Sequence, residues 1–170
     1  MTALRPTTPR SCRAVATLLA VLGLGGLGTA CNLDAAVFVE PAIESPRLAV
    51  EGGVLGSALQ GEFTLTLHLG ARASGPSEVS FGAFSLVDAD GLIVLDGLPV
   101  EPSRPSPILV EPDSDEVVVF TIDSGDEPIA DSLTAAICAG DLAIRGILED
   151  SLESGSSPVE SELFVATGCP

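Results

Sequence analysis

In the stretch Glu62-Phe63-Thr64-Leu65-Thr66-Leu67-His68-Leu69 an apolar residue stands at every second position. A period of two is the side-chain period of a β-strand, whereas a helix returns to the same face every three or four residues. The stretch is therefore a strand with one buried face and one wet face. Such a face must be covered by a second layer, so this short run already commits the chain to a sheet packed on something else. His68 falls on the wet side and reads as an exposed surface residue, not a ligand or catalyst.

Further segments repeat the signal. Ala36–Val39 is a candidate short first strand or part of a tether, and Arg47–Glu51 is a second candidate, ended by Gly52-Gly53. Glu78–Val87 alternates but slips from Val79/Phe81 to Phe84/Leu86 across Gly82-Ala83, which predicts a bulge. Asp88-Ala89-Asp90-Gly91 turns the chain into Leu92–Leu95, closed by Asp96-Gly97. Four prolines between Leu98 and Pro107 mark an edge or loop, and Ile108–Val110 adds a short strand. The β-branched run Glu116–Ile122 predicts a central strand covered on both faces. Asp131 is placed to N-cap a short helix over Ser132–Ile137 that stops near Gly140. Alternation resumes at Leu142–Arg145 and, less cleanly, at Glu160–Val165.

Seven to nine short strands with turns every eight to twelve residues, in a chain without internal repeats, predict an all-β, antiparallel sandwich. In general pattern this resembles the immunoglobulin-like β-sandwich, which implies two packed antiparallel sheets with Greek-key connections. The chain has no Trp and no Tyr, so the buried tryptophan and the tyrosine corner of that family are missing. The core must be built from Val, Leu, Ile and six Phe. The expected division is a signal peptide over 1–30, a tether or first short strand over 31–46, and a single sandwich domain over 47–170.

The first 31 residues carry an address. Arg5, Arg10 and Arg13 form a basic head without acids, Ala14 to Leu27 is an apolar run, and Gly28-Thr29-Ala30 precedes Cys31. This is the three-part plan of a secretory signal peptide. The run is short for a membrane span, which takes about 20 apolar residues, and its glycines weaken it as a permanent helix. Leu27-Gly28-Thr29-Ala30-Cys31 resembles the lipobox of bacterial lipoproteins, although Gly28 stands where that family usually has an aliphatic residue. The resemblance implies that Cys31 receives a diacylglyceryl group, becomes the new N-terminus and anchors the chain to a membrane from outside the cytoplasm. Cutting at the same bond by the ordinary signal peptidase would instead release a secreted protein.

Cys12 leaves with the leader. If Cys31 carries lipid, Cys138 and Cys169 remain as an even pair in an oxidising compartment. Their midpoint lies in the turn-like stretch Asp150–Pro158, so a strand leaving Cys138 and returning through that turn brings Cys169 back beside its start. A disulfide is expected there.

All 24 acids follow Cys31 while only four of the seven arginines do, and there is no lysine, so the exported part carries 4 − 24 = −20. Such a surface disfavours nucleic acid and anionic lipid head groups. Only one histidine is present, and no nucleophile elbow, phosphate loop, dinucleotide fingerprint or zinc helix occurs. The loop acids Asp88, Asp90, Asp113, Asp115, Asp123 and Asp126 are weak calcium candidates, without the twelve-residue EF-hand pattern. No other cofactor is expected. The function that follows is a non-catalytic extracytoplasmic lipoprotein that binds an envelope or surface protein, in adhesion or envelope assembly. The alternatives are a calcium-binding surface domain and a small secreted carboxylate-dependent enzyme.

Overall fold

A computed structural model describes residues 35–53, 56–125 and 128–169. The expected leader, the expected lipid site at Cys31 and the calcium candidate Asp126 lie outside these residues. The described residues belong to one compact unit. Among the described residues no helix is long and apolar enough to cross a membrane.

Among the described residues eleven strands and one short helix follow one another as β1 (Glu40–Gly53), β2 (Gly56–Leu69), β3 (Ser77–Phe81), β4 (Ser85–Asp88), β5 (Ile93–Leu95), β6 (Val100–Pro102), β7 (Ile108–Val110), β8 (Ser114–Asp123), α1 (Asp131–Ile137), β9 (Asp141–Asp150), β10 (Ser156–Glu160) and β11 (Phe164–Val165). They form two antiparallel sheets. Sheet A has the order β1-β2-β8-β6; sheet B runs β5-β4-β9-β3-β7, with β10 and β11 also paired to β9. The all-β sandwich expected from the alternation is what the chain forms.

The first strand departs from the expected pieces. It is one strand from Glu40, not a tether followed by Arg47–Glu51, and it runs through Pro41 and Pro46. The prolines are tolerated because β1 is the edge of sheet A, where missing ladder donors face away from a partner. Its register shifts between Glu44 and Arg47, where Ser45 takes a φ of 51°. The shifted strand passes so close to β2 that a Cβ at Gly61 would lie 2.1 Å from the Arg47 carbonyl oxygen.

In sheet B, β9 is flanked along both edges by broken strands. The slip at Gly82-Ala83 divides one edge into β3 and β4, and the Gly82 N–H still donates to the Ile147 carbonyl at 2.9 Å. On the other edge β10 and β11 are separated at Ser161. There the Ser161 N–H donates to the Ile144 carbonyl at 2.9 Å, and its hydroxyl accepts from the Ile144 N–H at 3.0 Å. A side chain thus completes the ladder where the backbone breaks it.

The core lies between the sheets. Phe63, Leu65, Leu67 and Leu69 of β2 are buried, as their alternation requires. Phe63 stacks on Phe120 of β8 with centroids 4.8 Å apart, and Phe84 meets both edge-on at 5.0 and 4.9 Å. Such pairs add about 0.5–1.5 kcal/mol each beyond area burial. β9 passes beneath Phe84 at Gly146, where a Cβ would come within 2.4 Å of the ring.

Two local expectations are corrected. β8 is central in sheet A but covered on one face only: Val118, Phe120 and Ile122 are buried while Val117, Val119 and Thr121 are exposed. The β-branched run reflects strand propensity, not double burial, because no layer lies outside sheet A among the described residues. The helix begins after Ala130, which serves as its N-cap with extended backbone and no side-chain cap bond; Asp131 is already in the first turn. A carboxylate there still favours the positive helix end.

Candidate binding face

The ladder of sheet A places its outward side chains in rows across β1, β2 and β8. At one end Glu40, His68 and Asp115 are opposite one another. The next row is Ala42, Thr66 and Val117, followed by Glu44, Thr64 and Val119. Arg47, Glu62 and Thr121 come after, with Glu101 of β6 beside Thr121. The two middle rows contain an uncharged block of Ala42, Thr64, Thr66, Val117 and Val119. Val117 is 51% exposed and Val119 39%. Carboxylates border it on three sides: Glu40 and Asp115 in the row above, Glu44 on the β1 edge, and Glu62 and Glu101 in the row below beside Arg47, while Ser103 flanks Val119 on the β6 side. Glu44 accepts a hydrogen bond from the Thr66 hydroxyl at 3.3 Å.

His68 lies on this outer face, as expected, and its Nδ1 is 2.6 Å from Asp115 Oδ1. The partner was invisible in the sequence because the two are 47 residues apart. Arg47 reaches Glu62 at 3.7 Å, and both side chains are well exposed. An exposed pair of this kind contributes little to stability, so the rim remains available for partners.

The calcium candidates are not gathered into one place. Asp113 and Asp115 flank the start of β8, whereas Asp88, Asp90 and Asp123 lie toward the opposite end of the sandwich. Asp88 Oδ1 accepts from the Asp90 and Leu92 N–H groups at 3.0 and 2.8 Å, and Asp123 Oδ1 accepts from the Gly125 N–H at 2.7 Å. These oxygens close their own turns. Asp115 is engaged with His68, and Asp113 holds the turn before β8 at a φ of 61°. Among the described residues no three His, Cys, Asp or Glu side chains are grouped as a metal site would require.

Cys138 and Cys169 form the expected disulfide, with Cα atoms 5.7 Å apart. It joins the end of α1 to the chain after β11. Between β11 and the bridge, Thr167 lies parallel to β1. Its N–H donates to the Leu48 carbonyl at 2.9 Å and its carbonyl accepts from the Val50 N–H at 2.8 Å. The bridge therefore fastens a strap that closes sheet B onto the edge of sheet A.

At the other end sits a carboxylate that sequence reasoning placed only in a turn. Asp150 is buried. Its Oδ2 accepts from the Val39 N–H at 2.7 Å, and its Oδ1 accepts from the Leu152 N–H at 2.8 Å and from the buried Ser77 hydroxyl. It ties the start of β1, the start of β3 and the turn after β9 together. The one early signal was an acid at an inward-facing position of a strand, since Leu142, Ile144, Leu148 and Asp150 share one face. Beside it runs an open groove of about 750 Å³ whose lining includes Glu78, Glu149 and Glu153.

Comparison with known proteins finds no matching family model, no matching curated protein and no matching solved structure.

Proposed function

We propose that this chain is an extracytoplasmic lipoprotein, anchored through Cys31, that binds a partner protein through the outer face of sheet A and catalyses no reaction. The observation that carries the binding reading is the uncharged Val-Thr block of β2 and β8, with Val117 and Val119 exposed and five carboxylates (Glu40, Glu44, Glu62, Glu101 and Asp115) around it. An exposed apolar patch with a polar rim is the anatomy of a protein contact. The rim sets the partner's chemistry: an apolar patch surrounded by Lys and Arg. A second copy of the part from Cys31 onward would bring −20 against −20, so self-association is disfavoured.

Cysteine parity supports the anchor. With Cys138 and Cys169 bridged, Cys31 is the one cysteine left after the leader. The strand order supports immunoglobulin-like connectivity as part of the same reading. β1-β2-β8-β6 follows the A-B-E-D order of such sandwiches, and β9 between β3–β4 and β10–β11 follows C-F-G.

The test uses photo-crosslinking amino acids at positions 117 and 119, with position 147 on sheet B as control, in the native envelope. The expected result is a defined adduct from 117 and 119, absent from 147 and lost when Glu62→Lys and Glu101→Lys are introduced together. Equal adducts from both sheets would refute the face. Mass spectrometry of the N-terminus tests the anchor, and an unmodified Cys31 or an uncleaved leader refutes it.

A further inference from the structure

The residues just before β1 are fastened to the body on both sides of an exposed apolar pair. Ala36 and Val39 are each 8% exposed, and Val39 belongs to the core and donates its N–H to the buried Asp150. Between them Val37 and Phe38 are 44% and 43% exposed. Phe38 differs in this from the other five phenylalanines: Phe63, Phe84 and Phe120 are buried, and Phe81 and Phe164 pack against the core. A flexible tether would have no reason to be latched in this way, and a latched segment has no local reason to present an aromatic ring to water. The chain from Cys31 to Ala36 is five residues, which spans at most about 18 Å.

We propose that Val37 and Phe38 form a fixed apolar contact with the surface of the bilayer that holds Cys31. The proposal rests on the anchoring reading given above. It commits the end of the sandwich where β1 begins to face the membrane, together with the turns after β2, β7 and β9. The binding face of sheet A then stands at the side of the molecule, and the disulfide end points away. The contact is apolar, not electrostatic. The body has four arginines and no lysine against 24 acids, and therefore repels anionic head groups. A zwitterionic surface is the matching one, and aromatic side chains are favoured at the head-group level.

The chain has no Trp and no Tyr, so a single Phe38→Trp substitution supplies a sole reporter. The protein from Cys31 onward is coupled through that cysteine to a maleimide-headgroup lipid in phosphatidylcholine vesicles containing brominated acyl chains. A Leu92→Trp protein serves as the control, since Leu92 is exposed at the opposite end. The expected result is a blue-shifted emission for Phe38→Trp that is quenched several-fold more than that of Leu92→Trp, and is unchanged by added salt. Adding Asp150→Ala should reduce that difference. Equal quenching of the two proteins, or none for Phe38→Trp, overturns the proposal. So does a blue shift that appears without vesicles as protein concentration rises. Because the anchor is attached chemically, quenching with an unmodified Cys31 in the native envelope would sink the anchoring reading while leaving the contact intact, and the reverse pattern would do the opposite.

Discussion

Replacing Asp150 tests the join between the lead-in and the sandwich. The carboxylate accepts from three donors, the Val39 and Leu152 N–H groups at 2.7 and 2.8 Å and the Ser77 hydroxyl. Hydrogen bonds to a charged acceptor contribute about 1.5–3 kcal/mol each, and a buried donor left without a partner costs a similar amount. At the lower value for each bond, Asp150→Ala should cost about 4–5 kcal/mol. Asp150→Asn keeps the shape but has one oxygen. It can serve Val39 or the Ser77–Leu152 pair, and its NH2 must then face the other donors, so it should cost about half as much. Ser77→Ala alone should cost about 1 kcal/mol, and almost nothing further once Asp150 is already Ala. Urea unfolding measures these differences, and the Asp150→Ala midpoint should fall by more than about 1 M. Hydrogen exchange at the Val39 amide should rise in the same order as the losses. The reasoning is refuted if Asp150→Ala and Asp150→Asn are equally stable, or if either lies within about 0.5 kcal/mol of the parent protein.

Three other outcomes follow from the same geometry. Replacing both Cys138 and Cys169 with Ser removes a cross-link spanning 31 residues, which loop-closure entropy values at about 4 kcal/mol. The Val50 amide, bonded to Thr167 in the strap, should then exchange faster by mass-spectrometric readout, while the Val39 amide at the far end should not. Gly146→Ala drives a methyl into the Phe84 ring. It should cost about 2–3 kcal/mol and alter the near-ultraviolet circular dichroism of the phenylalanine cluster. Thr134 of α1 is buried, and among the described residues its hydroxyl has no hydrogen-bond partner. Thr134→Val should therefore raise the unfolding free energy by about 1 kcal/mol in chemical denaturation, and a loss of stability would show that the hydroxyl is satisfied in solution.

Much of the architecture was legible where local chemistry and tertiary context agree. The alternation of β2 announced its buried face, and the slip at Gly82-Ala83 marked an irregularity, read as a bulge in one strand, where the chain in fact divides into β3 and β4. Both follow from the two-residue period of a strand, which every neighbour must respect. The Cys138–Cys169 bridge was legible because a hairpin returns a chain to its origin. Reading failed where the same residues suit two environments. Val117 and Val119 look like core, and only the position of β8 on an uncovered sheet leaves them exposed. Ala36–Val39 and Arg47–Glu51 looked like separate pieces, whereas β1 runs unbroken through Pro41 and Pro46 because edge placement tolerates them.

The order of residues alone settled the all-β class, the bridge and the acidity, since each depends on composition or on spacing along the chain. Folding in three dimensions decided which acids became turn caps, that Asp150 would be buried as a three-way acceptor, and that His68 would meet Asp115. It also decided that one uncharged block would remain on the outside. Those outcomes depend on pairings between residues tens of positions apart. A sequence period records which way a side chain points, and only the packed sheets record what it meets.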